Sequence, residues 1–193
     1  MRPWLLMGLL LCAGPVLAAS PDPAVHAQGP ADGTAPPWII STTAPAGWTK
    51  DCCTYARAIG VNYVLYQGEW TGKPERVMVL NVWPSKLPTL DDEVRDDRKQ
   101  YLQRDPHGAA SAFVIDNRHM TCRGVLYAGT DHIDDVIVFC DPGTAAGIRY
   151  SWSMAIAADD PHRQALLDKF RQVAQHSSYA QGAKVSTAAG KSG

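Results

Sequence analysis

Four cysteines, Cys52, Cys53, Cys122 and Cys140, and the run Asp131-His132-Ile133-Asp134-Asp135 are the residues of this chain whose types and spacing bear on chemistry. A thiolate at Cys52 or Cys53, near the start of a short helical segment, is a nucleophile favoured by the positive end of the helix. His107, His119, His132 and His162 are bases for it in principle, but no spacing selects one of them. Zinc asks for paired C-x2-C knuckles, which are missing. The 131–135 run concentrates carboxylates and an imidazole, yet it lacks the alternating ligands and distant bidentate glutamate of a calcium loop. Aspartates also cap turns, so the plainer reading is a polar hairpin loop. Arg118-His119 reads as a surface turn. No G-x-S-x-G elbow, H-E-x-x-H helix or phosphate loop occurs. The chain is therefore expected to use no metal, no cofactor and no catalytic residue set.

The compartment decides how the cysteines are read. Arg2 precedes the apolar run Trp4 to Leu11, and Val16-Leu17-Ala18 follows with residues suited to a signal peptidase. Residues 1–18 are expected to be a signal peptide, with the mature chain starting near Ala19 or Ser20. Lipidation at Cys12 is disfavoured by Leu11, since that signal wants a small residue before the cysteine. No stretch is apolar for the ~20 residues that a helical span needs, so no transmembrane anchor is expected. In a periplasmic or secreted protein, four cysteines are first of all disulfide partners. The formal net charge of -1 over 193 residues carries no basic stripe for nucleic acid.

The elements that would position these residues follow from hydrophobic period and punctuation. Residues 19–36 are rich in Pro, Ala and Gly and read as a flexible linker, residues 178–193 as a disordered tail, and 37–177 as a single α+β domain. Strands are expected over 61–70, 76–83, 111–116, 121–127, 135–140 and 148–157. In the last, Ile148, Tyr150, Trp152, Met154 and Ile156 share one face. A short helix is expected from about Asp51 to Ile59. Thr89 opens a longer one, with Asp92 completing a capping box. Asp160 as N-cap and Pro161 at the first helical position open a third, whose stripe is Leu166, Phe170 and Val173. Hairpin-linked strands interrupted by helices imply an antiparallel sheet covered by helices. If Val125 faces Ile137 and Tyr127 faces Asp135, the constant index sum of 262 sets Cys122 opposite Cys140, close enough for a disulfide. Cys52 and Cys53 are then a vicinal bridge, free thiols or a link to another chain.

The order of elements and several short motifs resemble the PsbP-like αβα-sandwich family, which includes DcrB-type periplasmic proteins of bacteria. Pro45-Ala46-Gly47-Trp48 looks like that family's opening, and Pro88-Thr89-Leu90 like the start of its helix. Gly124 matches the glycine of its second later strand, and Leu167-Asp168-Lys169-Phe170 with Ser177-Ser178 its terminal unit. The resemblance implies binding or accessory work more than catalysis, and it carries no catalytic residues over.

The expected function is that of an exported, non-enzymatic envelope protein acting through a protein partner, with an immunity or inhibitor protein as one version. The contacts expected are the polar helix face of Asp92, Arg95, Asp96 and Lys99 and the loop residues Asp131, His132 and Asp134. The alternatives are a small exported hydrolase or thiol enzyme, and a small-molecule or metal-binding module resting on the tryptophans or the 131–135 loop.

Overall fold

The computed structural model describes residues 24–30, 35–70, 74 and 76–183. The expected signal peptide and its cleavage point lie outside them. Seven antiparallel strands form the main sheet in the order β3-β4-β5-β9-β8-β7-β6: β3 Thr49–Asp51, β4 Tyr63–Gln67, β5 Arg76–Pro84, β6 Ala109–Phe113, β7 Thr121–Ala128, β8 Ile133–Asp141 and β9 Ile148–Ala157. A smaller sheet sets β2 (Trp38–Thr43) between β1 (Ala24–Gly29) and β10 (Ser178–Gln181). Three helices, α1 Tyr55–Ala58, α2 Leu90–Arg104 and α3 Arg163–Gln175, complete the described α+β chain.

Alternation in β9 places the central strand. Ile148, Tyr150, Trp152, Met154 and Ile156 are at most 4% exposed and share the main core with Met78, Leu80, Val136 and Val138. α3 and the small sheet close that core from one side through Leu166, Phe170, Val173, Val25 and Ile40. The opposite sheet face carries two smaller clusters, one under α2 (Leu90, Tyr101, Val125, Tyr127, Phe139) and one under α1 (Ala56, Val64, Tyr66). The sheet is thus covered on both faces, with helices on each.

Two expectations are corrected at the ends of the domain. Ala24–Gly29 is a strand, not part of a linker, because Val25 and Ala27 alternate with exposed neighbours and reach the core while β2 supplies the backbone partners. Ser178–Gln181 likewise pairs with β2 and does not belong to a disordered tail. Small residues in a Pro- and Gly-rich setting hide a strand whose partners come from elsewhere in the chain. The third helix also starts later than its punctuation implies. Asp160 accepts from the backbone N–H of His162 at 2.7 Å, but it does so in a turn, and α3 begins at Arg163.

Two glycines show why the family-like motifs have the residues they have. Gly47 sits at φ +76° in the turn closed by Trp48 N–H donating to the Pro45 carbonyl at 3.1 Å, a conformation open to glycine without strain. Gly124 makes room for a ring, since a Cβ there would lie 2.4 Å from Phe113, whose ring also carries the Arg171 guanidinium at 5.1 Å. Gly124→Ala should expel Phe113 and destabilise by roughly 1–3 kcal/mol. Thermal melts check this. In a Phe113→Ala background the same change should cost much less, because the clash is then gone.

Candidate functional site

Helix α2 brings most of the expected contact residues to one face. Its capping box is present: Thr89 Oγ1 accepts from Asp92 N–H at 3.1 Å, and Asp92 Oδ2 accepts from Thr89 N–H at 3.2 Å. Hydrogen bonds from Thr89 and then Arg95 hold the Asp92 carboxyl below its usual range. Asp92 is therefore committed to starting the helix, and Arg95 pairs with it at 2.7 Å. Arg95, Asp96 and Lys99 are exposed. With Leu87, Pro88 and Asp92 they line a shallow groove of about 390 Å³.

The 128–134 loop is fastened to the far end of the same helix. Asp105 Oδ2 accepts from Thr130 N–H at 2.8 Å, and its Oδ1 accepts from the Thr130 hydroxyl at 3.0 Å. Tyr101 stacks on Tyr127 with centroids 4.2 Å apart, and the Tyr127 hydroxyl donates to Asp97 Oδ2 at 2.5 Å. Helix and loop form one continuous surface. Within the loop, Asp131 and His132 are exposed, and His132 takes a left-handed φ of +65°. Asp131 Oδ1 accepts from Ile133 N–H at 3.0 Å, the local turn role expected of an aspartate.

Asp134 is a correction. It is only 5% exposed and accepts from Arg163 Nη2 at 2.5 Å and Nε at 3.1 Å, so it faces α3 and presents nothing to a partner. Alternation explains it: Asp134 has the parity of Val136 and Val138, the buried face of β8, and the charge is tolerated there because an arginine meets it. Among the described residues, no group of three or more His, Cys, Asp or Glu is placed to hold a metal ion.

The cysteines are paired as Cys122–Cys140 and Cys52–Cys53. The register sets Cys122 opposite Cys140, with Val125 facing Ile137 and Tyr127 facing Asp135. Cys52 and Cys53 lie in the exposed bend before α1 and are joined to each other, so neither is a thiolate. Two disulfides in one small chain suit an exported protein. Trp38, Trp48 and Trp152 are buried and fill the core, and Trp38 also borders a small pocket of about 210 Å³ with Asn62, Val82 and Trp83.

Sequence reasoning missed two features on this side of the molecule. Arg149, with a side chain 4% exposed, donates to Glu93 at 2.9 Å, to Asp141 at 3.1 Å, and to the Leu87 and Pro88 carbonyls at 2.8 and 3.2 Å. It anchors the start of α2 to β8 and β9. Beside it, a cleft of about 280 Å³ opens between α2 and the outer face of β5 and β9, with Asn81, Trp83, Asp96, Asp97, Ser151 and Ser153 in its lining. Burial raises the Asp97 carboxyl above its ordinary range, against the opposing hydrogen bond from Tyr127. The available signal was the polar parity of β9: Arg149, Ser151 and Ser153 alternate with the large apolar residues.

No family model matches the sequence, and no curated protein matches it. Solved structures do. The solution structure of the cyanobacterial PsbP (CyanoP) of Synechocystis superposes with a TM-score of 0.51 at 12% identity, covering 89% of this chain and 99% of that one. The crystal structure of LpqN, involved in cell envelope biogenesis of Mycobacterium tuberculosis, superposes with a TM-score of 0.52 at 11% identity, covering 81% and 91%. This α+β chain, with its antiparallel sheet between helical layers, has the PsbP-like fold.

Proposed function

We propose that this is an exported, non-enzymatic accessory protein of the cell envelope that acts through a protein partner docked on the surface of α2 and the 128–134 loop. An immunity or inhibitor protein is one form of that role. The observation that carries the reading is the fastening of the two segments by Asp105 and the Tyr101–Tyr127 stack, which makes charged residues from separate elements one pre-ordered surface. Order before binding lowers the entropy lost on association. Charges of both signs, Arg95, Asp96, Lys99 and Asp131, lie on it at exposed positions, where they steer encounter more than they add affinity. The described role of LpqN in envelope biogenesis fits the same kind of work. Against a thiol enzyme stands the bridge between its two candidate nucleophiles.

Charge reversal tests the surface. Asp96→Lys with Lys99→Glu should slow partner association by about tenfold at low salt and progressively less as salt rises, with the melting temperature unchanged. Asp92 is left out of the test because reversing it would remove the helix cap. Surface plasmon resonance at several salt concentrations reads the effect. Association at the wild-type rate at every salt concentration would move the docking surface elsewhere. Cys52→Ser with Cys53→Ser should leave biological activity intact; its loss in a folded protein would favour the thiol enzyme.

A further inference from the structure

We propose that the cleft between α2 and strands β5 and β9 is a binding site for a guanidinium or ammonium group, which shares Asp96 with the partner surface on the helix's exposed face. Its walls are rich in acceptors and short of cations. Glu93, Asp96 and Asp97 line it, Glu93 already paired with Arg149 behind the wall, and no Lys or Arg lines it among the described residues. Asp97 uses Oδ2 on Tyr127 and Asp96 uses Oδ2 on Gln100 at 2.8 Å, which leaves one oxygen of each carboxylate without a donor among the described residues.

The floor supplies the independent observation. Ser151 is 94% buried by its 6% exposure, it lines the cleft, and its hydroxyl meets no hydrogen-bond partner among the described residues. Ser153 and Asn81, both half-buried, line the same floor, and their side chains have no hydrogen-bond partner among the described residues. Polar groups that open into a concave site without a protein partner are free to meet a ligand there. Trp83, held edge-to-face on Phe139 at 6.4 Å, completes the lining with an aromatic ring of the type that attracts cations. A donor-only, positively charged head meets all of these at once. A carboxylate or phosphate would face Asp96 and Asp97. A seated cation would also offset the burial that raises the Asp97 carboxyl.

The test is an NMR titration of the 15N-labelled protein with methylguanidinium and, in parallel, with methylurea, its uncharged counterpart of similar shape. Expected are saturable shifts at the Trp83 indole N–H, the Asn81 side-chain amide and the Ser151 and Ser153 backbone amides with methylguanidinium, and none with methylurea. Asp97→Asn should weaken binding at least about tenfold, as loss of one charge-assisted contact implies. Asp96→Asn, on the exposed helix face, should weaken it in the same direction should Asp97→Asn fail to fold. Asp168→Asn on α3 should change nothing. Putrescine and a capped arginine tripeptide separate the sources: tighter binding of the first marks a free amine as the occupant, tighter binding of the second a basic side chain of a bound protein. Equal shifts with methylurea, or no saturable shift with methylguanidinium, putrescine or the arginine tripeptide, would overturn the proposal.

Discussion

Arg149→Ala should destabilise the protein by roughly 3–5 kcal/mol, the range for removing one partner of a buried ion pair. For a domain of this size that is a fall of roughly 6–20 °C in melting temperature. The guanidinium meets two carboxylates and two backbone carbonyls, and its loss leaves Glu93, Asp141 and the Leu87 and Pro88 carbonyls without their donor. Much of the effect is therefore the penalty on the groups left behind. Glu93→Gln combined with Arg149→Met should recover a measurable part of the loss, because it removes one stranded charge. Chemical denaturation of the single and double variants checks both statements. Since Arg149 fixes the start of α2, the folded fraction of Arg149→Ala should also bind a partner less well than wild type. A melting point within two degrees of wild type would contradict the anchoring role.

Removing the Cys122–Cys140 bridge should destabilise by about 3 kcal/mol, as expected for closing a loop of this length in the unfolded chain. The two sulfurs join directly opposed residues of β7 and β8, 18 positions apart in sequence. Both cysteines are buried, at 6% and 0% exposure, so serine replacements add the penalty of a polar group in the core. Valine at position 140 with alanine at 122 isolates the loop effect. The Cys52–Cys53 bridge joins neighbours in sequence and constrains almost no chain, so its removal should shift the melting temperature far less. Non-reducing peptide mapping followed by melts of the two double variants tests this ordering. Equal shifts, or a crossed pairing of Cys52 or Cys53 with Cys122 or Cys140, would contradict it.

The fold was legible wherever one element carried its own signal. Strict alternation marks β9 from Ile148 to Ala157, and the β7–β8 register follows once Val125 is set against Ile137 and Tyr127 against Asp135. Thr89 and Asp92 announce α2 because a capping box is local chemistry. Legibility failed where the deciding partner is distant in sequence. Val25 and Ala27 acquire a core only through β2, so a Pro- and Gly-rich setting masks their strand. Asp134 looks like a loop charge until Arg163, contributed by α3, buries it. Arg149 is the same case inverted: a charge inside an apolar strand is a strong local anomaly, but its two acidic partners lie 56 and 8 positions away. The cleft is harder still to read, since it exists only as the space that α2 leaves uncovered beside β5 and β9. No single element carries it.

Site-specific photocrosslinking in the native envelope tests the central claim most directly. A photoreactive residue would replace, one at a time, Arg95, Lys99 and Asp131 on the α2 and loop surface, and Asp168 and Lys169 on α3 at the opposite side of the sheet. One discrete adduct of the same mass is expected from all three positions of the first set, none from the second, and loss of that adduct when Asp96→Lys and Lys99→Glu are added. No adduct from the first set, or the same adduct from α3, would contradict a function that resides on this surface.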